Sequence, residues 1–225
     1  MLDILYRDNH LIAINKPHGL LVHRSPIAAD ASEFALQLLR DQVGARVNPV
    51  HRLDRATAGI LLFAFDKETE VAMQLQFAND KVNKTYLAIV RGYAHDAEDI
   101  NHPLKKDNGT LQEAFTRYTT LMRAELPVPF GKHETSRYSL IEVKPSTGRM
   151  HQIRKHMSHV NHPIIGDTTH GCNKQNKLFR ERWEMTTLML HASKLHFIHP
   201  VTENETTIEA PVNSEFKRVM DLMNW

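Results

Sequence analysis

The chain has 225 residues, 41% hydrophobic and 24% charged, a composition that fits a globular protein and excludes disorder. The longest apolar run, Ala58 to Phe65, is far shorter than the roughly 20 residues a bilayer span needs. The N-terminal MLDILYRDNH is not a signal peptide, and the single cysteine, Cys172, excludes a disulfide framework and a multi-cysteine zinc site. A formal charge of +2 excludes a uniformly basic nucleic-acid binder, and a reducing, cytoplasmic setting is expected.

ILYRDNHLIAINKP predicts two strands around Asp8-Asn9, stopped by Pro17 and Gly19. SEFALQLLRDQVG predicts a helix with Ser32 as N-cap and Gly44 past its end. ILLFAF, apolar without alternation, predicts a strand buried on both faces. ETEVAMQLQFAND predicts a second helix, and KTYLAIVRG a strand ended by Gly92. His95 to Lys132 reads as polar and irregular, with one strand at EAFTRYTTLMR. RYSLIEVKP predicts a strand and GRMHQIRKHMSHV a helix. LMLHASKLHFIHP and TTIEAP are expected to be strands joined by the turn-rich PVTENE, and SEFKRVMDLMNW a closing helix. Without repeats or a linker, the expectation is one domain over 1–225, α+β with a largely antiparallel sheet.

Charge is uneven along this framework. Arg137 to Arg182 carries nine Lys/Arg against three acids, plus five histidines, so a directed polyanion site and a solvated helix face are both open readings. On a helical wheel starting at Met150, Ile153, Met157 and Val160 form the core stripe. Arg154 falls at its edge, while His151, Lys155 and His159 point away. A guanidinium held there needs an acid or phosphate partner, unless it snorkels to water. The histidines of this segment show no HExxH arrangement and no Cys or acid at ligand spacing, so no metal site is expected.

Several segments together resemble the RluA-type pseudouridine synthases. HRLDRATAGILLF is similar to their His-Arg-Leu-Asp-x-x-Thr-Ser-Gly motif, with Ala58 in place of the serine. NKTYLAIVRG resembles their Lys-x-Tyr strand, and PSTGRMHQIRKHMSHVNHPIIGD their Thr-Gly-Arg-x-His-Gln-Ile-Arg segment with its following Gly-Asp. LMLHASKLHFIHP resembles their Leu-His-Ala strand, and LIAINKPHGLLVH their opening Asn-Lys-Pro-x-Gly. Order and approximate spacing match along essentially the whole chain. Within the family the likeness is greatest to members that act on uridine 65 of tRNA.

The resemblance implies a mostly antiparallel sheet flanked by helices, with two subdomains around a catalytic cleft and no separate N-terminal RNA-binding domain. It implies cleavage of the uridine N1–C1′ bond, rotation of the uracil and rejoining through C5, with no cofactor and no metal. The residues carried over are Asp54 as catalytic carboxylate, Tyr86 against the target uracil, and Arg154 as the cation paired with Asp54. Arg52 is expected to hold the flipped nucleotide, and Arg55, Arg149 and Lys155 to meet the RNA backbone. The expected partner is RNA, tRNA first, with no membrane, and the chain is expected to act as a monomer. The motifs leave ribosomal RNA or another tRNA site open as substrate. A non-catalytic RNA-binding protein or RNA chaperone on the same fold is the alternative of another class.

Overall fold

A computed structural model describes residues 1–23, 33–106 and 108–225. In chain order the described elements begin with β1 (Asp3–Arg7), β2 (Leu11–Lys16), α1 (Ala35–Val43), β3 (Asn48–Pro49), β4 (Ala58–Ala64) and α2 (Lys67–Ala78). β5 (Asn83–Arg91), β6 (Ala97–Asn101), β7 (Leu104–Lys105), β8 (Leu111–Gln112), β9 (Phe115–Leu126) and β10 (Ser136–Pro145) follow. The chain closes with α3 (Gln152–His159), α4 (Asn173–Trp183), β11 (Leu190–Ile198), β12 (Glu205–Glu209) and α5 (Ser214–Leu222). The class is α+β with a mostly antiparallel sheet, as the sequence predicts. The N-cap expected at Ser32 lies outside the described residues. One expectation needs correcting: His95 to Lys132 is not irregular, since β6, β7 and β8 precede β9 there, and the basic stretch from Lys174 to Arg182, for which no element is predicted, lies in the helix α4.

The chain forms two compact units, Met1–Lys84 with Ala192–Pro211, and Thr85–His191 with Val212–Trp225. In the first, strand order is β1-β2-β4-β11, with β12 on β11 and β3 on β4. All seven residues of β4 are buried, which is why its sequence is apolar without alternation. Its side chains join Leu11, Ala13, Met73, Val82, Leu195, Phe197 and Ile208 in the unit's core. The helix α2 starts at Asp66, whose carboxylate accepts from the Thr69 N–H and hydroxyl, both at 2.8 Å. Gly44 ends α1 in the left-handed conformation (φ 67°), its N–H bonded to the Arg40 carbonyl.

The second unit is built on β5-β10-β9-β6, with β9 and β10 forming a long hairpin. The helix α3 packs on β9 and β10. The helix α4 buries two residues, Gln175 and Phe179. Phe179 meets the buried Tyr138 ring edge-on at 5.4 Å, and Gln175 donates its amide to the Tyr138 hydroxyl. Lys174, Lys177, Arg180 and Arg182 are left exposed on the other side. Asn213 caps α5 by accepting from the Phe216 N–H at 2.8 Å. No helix among the described residues is long and apolar enough to cross a membrane.

Candidate active site

Asp54 sits on the turn that leads into β4. The entry to this turn is fixed by His51, whose Nε2 accepts the Leu62 N–H at 3.1 Å, while the Val50 N–H returns to the Leu62 carbonyl. The His51 ring stacks on Phe77 at 4.6 Å. Burial pushes its pKa down to about 3, with Lys84 adding to the effect, so it is neutral at physiological pH with its proton on Nδ1. Leu53 is buried, Asp54 is half-buried, and Arg52 and Arg55 are exposed. The turn closes through the Thr57 N–H on the Asp54 carbonyl at 3.1 Å.

A second clamp comes from the loop after β2. The Arg55 carbonyl accepts the Gly19 N–H at 2.9 Å, and Arg55 Nε donates to the Gly19 carbonyl at 3.1 Å. Beneath them lies Lys16, with no exposed surface. Its Nζ donates to the carbonyls of Pro17 (3.0 Å), Leu20 (2.8 Å) and Arg55 (3.2 Å). Three acceptors match the three N–H bonds of an ammonium group. Burial lowers the Lys16 pKa to about 7, and the Asp54 carboxylate acts in the opposite direction. A buried lysine therefore joins the Pro17–Leu20 loop to the Asp54 turn and places positive charge beside the carboxylate. Periodicity could not reveal this, since lysine is by default a surface residue. The signal present was the Asn-Lys-Pro string at the end of an apolar strand.

In the second unit Tyr86 lies on β5, half-buried and opposite Val143 of β10. The helix carrying Arg154 begins later than the wheel assumed. His151 has a left-handed backbone (φ 56°), α3 starts at Gln152, and Met150 is 49% exposed, not in the core stripe. Ile153 and Met157 are buried as predicted, but so are Gln152 and His156, because α3 is covered on a further face. His156 Nε2 donates to the His102 carbonyl and Nδ1 accepts from the Thr116 hydroxyl, both at 2.9 Å. Gln152 donates to the Phe115 carbonyl at 2.9 Å and accepts the Arg149 N–H at 3.0 Å.

Arg154 is 6% exposed and its side chain forks onto Asp167, which is 1% exposed. Nε bonds Oδ2 and Nη2 bonds Oδ1, each at 2.8 Å. Sequence spacing put Arg154 at the edge of the core face, with an anion partner or a path to water both open; the structure gives it an anion, Asp167, 13 residues away on a turn of no periodicity. Arg149 donates through Nε to the Glu113 carbonyl at 3.1 Å, and Lys155 is half-buried. Arg149 also lines an open cavity of about 390 Å³ with Leu104, Lys105, Lys106, Asn108 and Gln112. The structure thus brings Arg52, Asp54 and Arg55 together on one turn of the first unit. Arg149, Arg154 and Lys155 lie on and just before α3 in the second, with Tyr86 on β5.

A half-buried carboxylate on a hydrogen-bonded turn, with arginines two residues before and one after it and a buried lysine behind, has the chemistry to attack or deprotonate a substrate. The chain matches the RNA pseudouridylate synthase family over residues 10–159 and belongs to that family. It is an isomerase that converts uridine in RNA to pseudouridine. It is 44% identical to a Vibrio cholerae protein named tRNA pseudouridine synthase C, covering 100% of this chain and 97% of that one. A Haemophilus ducreyi protein of the same name is 46% identical, covering 100% and 96%. Among solved structures, human RNA pseudouridylate synthase domain containing 4 superposes with a TM-score of 0.74 at 25% identity, covering 99% of this chain and 93% of that one. Human RNA pseudouridylate synthase domain containing 1 gives 0.76 at 24% identity, covering 94% and 84%.

Proposed function

We propose that this synthase acts on tRNA, at uridine 65, with Asp54 as its catalytic carboxylate. The observation that carries the tRNA assignment is full-length likeness to proteins named for tRNA. In the reaction the N1–C1′ bond breaks, the detached uracil turns, and C5 bonds C1′. The C5 proton leaves as N1 regains one, so nothing is oxidised and no co-reactant is consumed. Asp54 attacks the sugar or the base, or serves as the base that takes the C5 proton. Tyr86 packs against the uracil. Arg154 keeps Asp54 charged. Arg52 helps hold the flipped nucleotide, and Arg55, Arg149 and Lys155 take backbone phosphates. The enzyme works as a cytoplasmic monomer and without metal.

The test is incubation with unmodified tRNA and ribosomal RNA transcripts, followed by carbodiimide mapping of pseudouridine. Modification of tRNA at position 65, lost in Asp54→Ala, supports the reading. Modification of ribosomal RNA alone, or at another tRNA site, overturns the substrate assignment. RNA binding without any pseudouridine returns the chain to the non-catalytic alternative.

A further inference from the structure

The carboxylate of Asp167 receives more directed bonds than any catalytic role for Arg154 alone requires. Its Oδ1 accepts from Arg154 Nη2 and from the N–H groups of Thr169 and His170, both at 2.9 Å, and its Oδ2 accepts from Arg154 Nε. Its backbone is held as well. The Asp167 backbone carbonyl accepts from Asn176 Nδ2 at 2.7 Å, and Asn176 Oδ1 accepts the Gly166 N–H at 2.9 Å, tying the turn to α4. Gly166 (φ 80°) and Gly171 flank it so tightly that an added Cβ would lie 1.9 Å from the Thr187 carbonyl oxygen and 2.1 Å from that of Asp167.

We propose that Asp167 is a positioning residue for the reaction, holding the Arg154 guanidinium by its Nε/Nη2 edge in one fixed plane so that its Nη1 end has a single direction. This rests on the reading of Arg154 given above. A buried ion pair is a poor source of stability, because desolvation of both groups offsets their attraction. Its use here is orientation. A fork of two parallel N–H···O bonds to the planar guanidinium fixes its plane against rotation about the Cγ–Cδ and Cδ–Nε bonds, which a single contact would leave open. Small misplacements of a catalytic group cost about 10²-fold in rate. The carboxylate itself is reliably ionised. Burial would raise its pKa, but the Arg154 bonds and the two backbone N–H groups outweigh that and hold it below the usual value.

The experiment compares Asp167→Asn, Asp167→Glu, Arg154→Gln and the double variant Arg154→Gln/Asp167→Asn, with circular dichroism to establish folding and kcat and KM measured on tRNA. Asp167→Asn is expected to lower kcat about 100-fold with KM within about threefold. Asp167→Glu, which keeps the charge but moves the oxygens by one methylene, is expected to lose about tenfold. Adding Asp167→Asn to Arg154→Gln is expected to cost nothing further, since the residue acts only through Arg154. A folded Asp167→Asn with wild-type kcat overturns the proposal, as does a loss that multiplies with that of Arg154→Gln. If Asp167→Asn does not fold, wild-type kcat in Asp167→Glu overturns it. Wild-type kcat in Arg154→Gln instead sinks the reading of Arg154, whereas an inactive Arg154→Gln beside an active Asp167→Asn removes only the role given to Asp167.

Discussion

Replacing Gly59 by alanine puts a methyl group where the structure has none to spare. Gly59 is the second residue of β4, pairs with Lys16, and has φ 107°. A Cβ there would stand 2.2 Å from the Ala192 carbonyl oxygen, 2.6 Å from its nitrogen and 2.8 Å from its carbonyl carbon. Ordinary C···O contact is about 3.3–3.6 Å, so β4 and β11 must separate by roughly 1 Å, enough to break the hydrogen bonds between them. Backbone atoms cannot swing aside as a side-chain tip can. The left-handed φ costs about 1–3 kcal/mol and overpacking about 1–3 kcal/mol. Together these are a large part of a domain's stability of about 5–15 kcal/mol. Urea unfolding followed by circular dichroism reads the change as a lower midpoint. Gly44→Ala is the control. Its φ is 67°, and nothing lies within 4 Å of an added Cβ, so it carries only the backbone term. A Gly59→Ala midpoint no lower than that of Gly44→Ala would refute the close-approach reasoning.

The remaining predictions use the same clamps. Lys16→Met takes the ammonium donor from three carbonyls, of which that of Arg55 keeps the Gly19 N–H, and removes the charge beside Asp54, so kcat on tRNA should fall about tenfold, comparable with a lost charge-assisted contact. Because the folded pKa of Lys16 is about 7, below its unfolded value of about 10.4, the unfolded chain binds the extra proton between them. Wild-type stability should therefore rise across that window relative to Lys16→Met, and parallel urea midpoints from pH 7 to 10 would contradict this. His51 has a folded pKa of about 3 against about 6.5 unfolded, so its contribution is complete above the higher value and lost as pH falls toward the lower. His51→Phe, which orphans the Leu62 N–H, should cost about 1–3 kcal/mol and remove that slope, read by thermal unfolding between pH 4 and 7. Charge reversal at Lys177 and Arg180 should raise KM for tRNA about tenfold and flatten its salt dependence without changing kcat. An unchanged salt slope would mean that the basic face of α4 is merely solvated.

Strong local signals were legible in the sequence. The apolar run of β4, the Asp8-Asn9 hairpin and the Gly44 stop all work through neighbours in the chain. The elements missed are those with little to bury. In β6 only Ile100 is buried, and α4 buries just Gln175 and Phe179 among polar and basic neighbours. Their pairing and docking supply what their own sequence does not. The site divides in the same way. The wheel placed Arg154 at the edge of the inward face, but spacing left both burial and a path to water open. Asp167 was not readable, because its turn has no period, and Lys16 was not, because its burial depends on carbonyls supplied by two separate loops.

The discontinuity of the first unit bears on how the chain is made. β4 is complete at Ala64, but β11, its neighbour, begins only at Leu190. At roughly 5–20 residues per second, a ribosome needs roughly 6–25 s to span that interval. β2 covers one edge of β4 meanwhile, and on the other the short β3 reaches only Phe63 and Ala64. The rest of that edge, from an apolar strand, stays open to pairing with other nascent chains. The edge of the most deeply buried strand is thus the last to be closed, by residues that emerge after position 190.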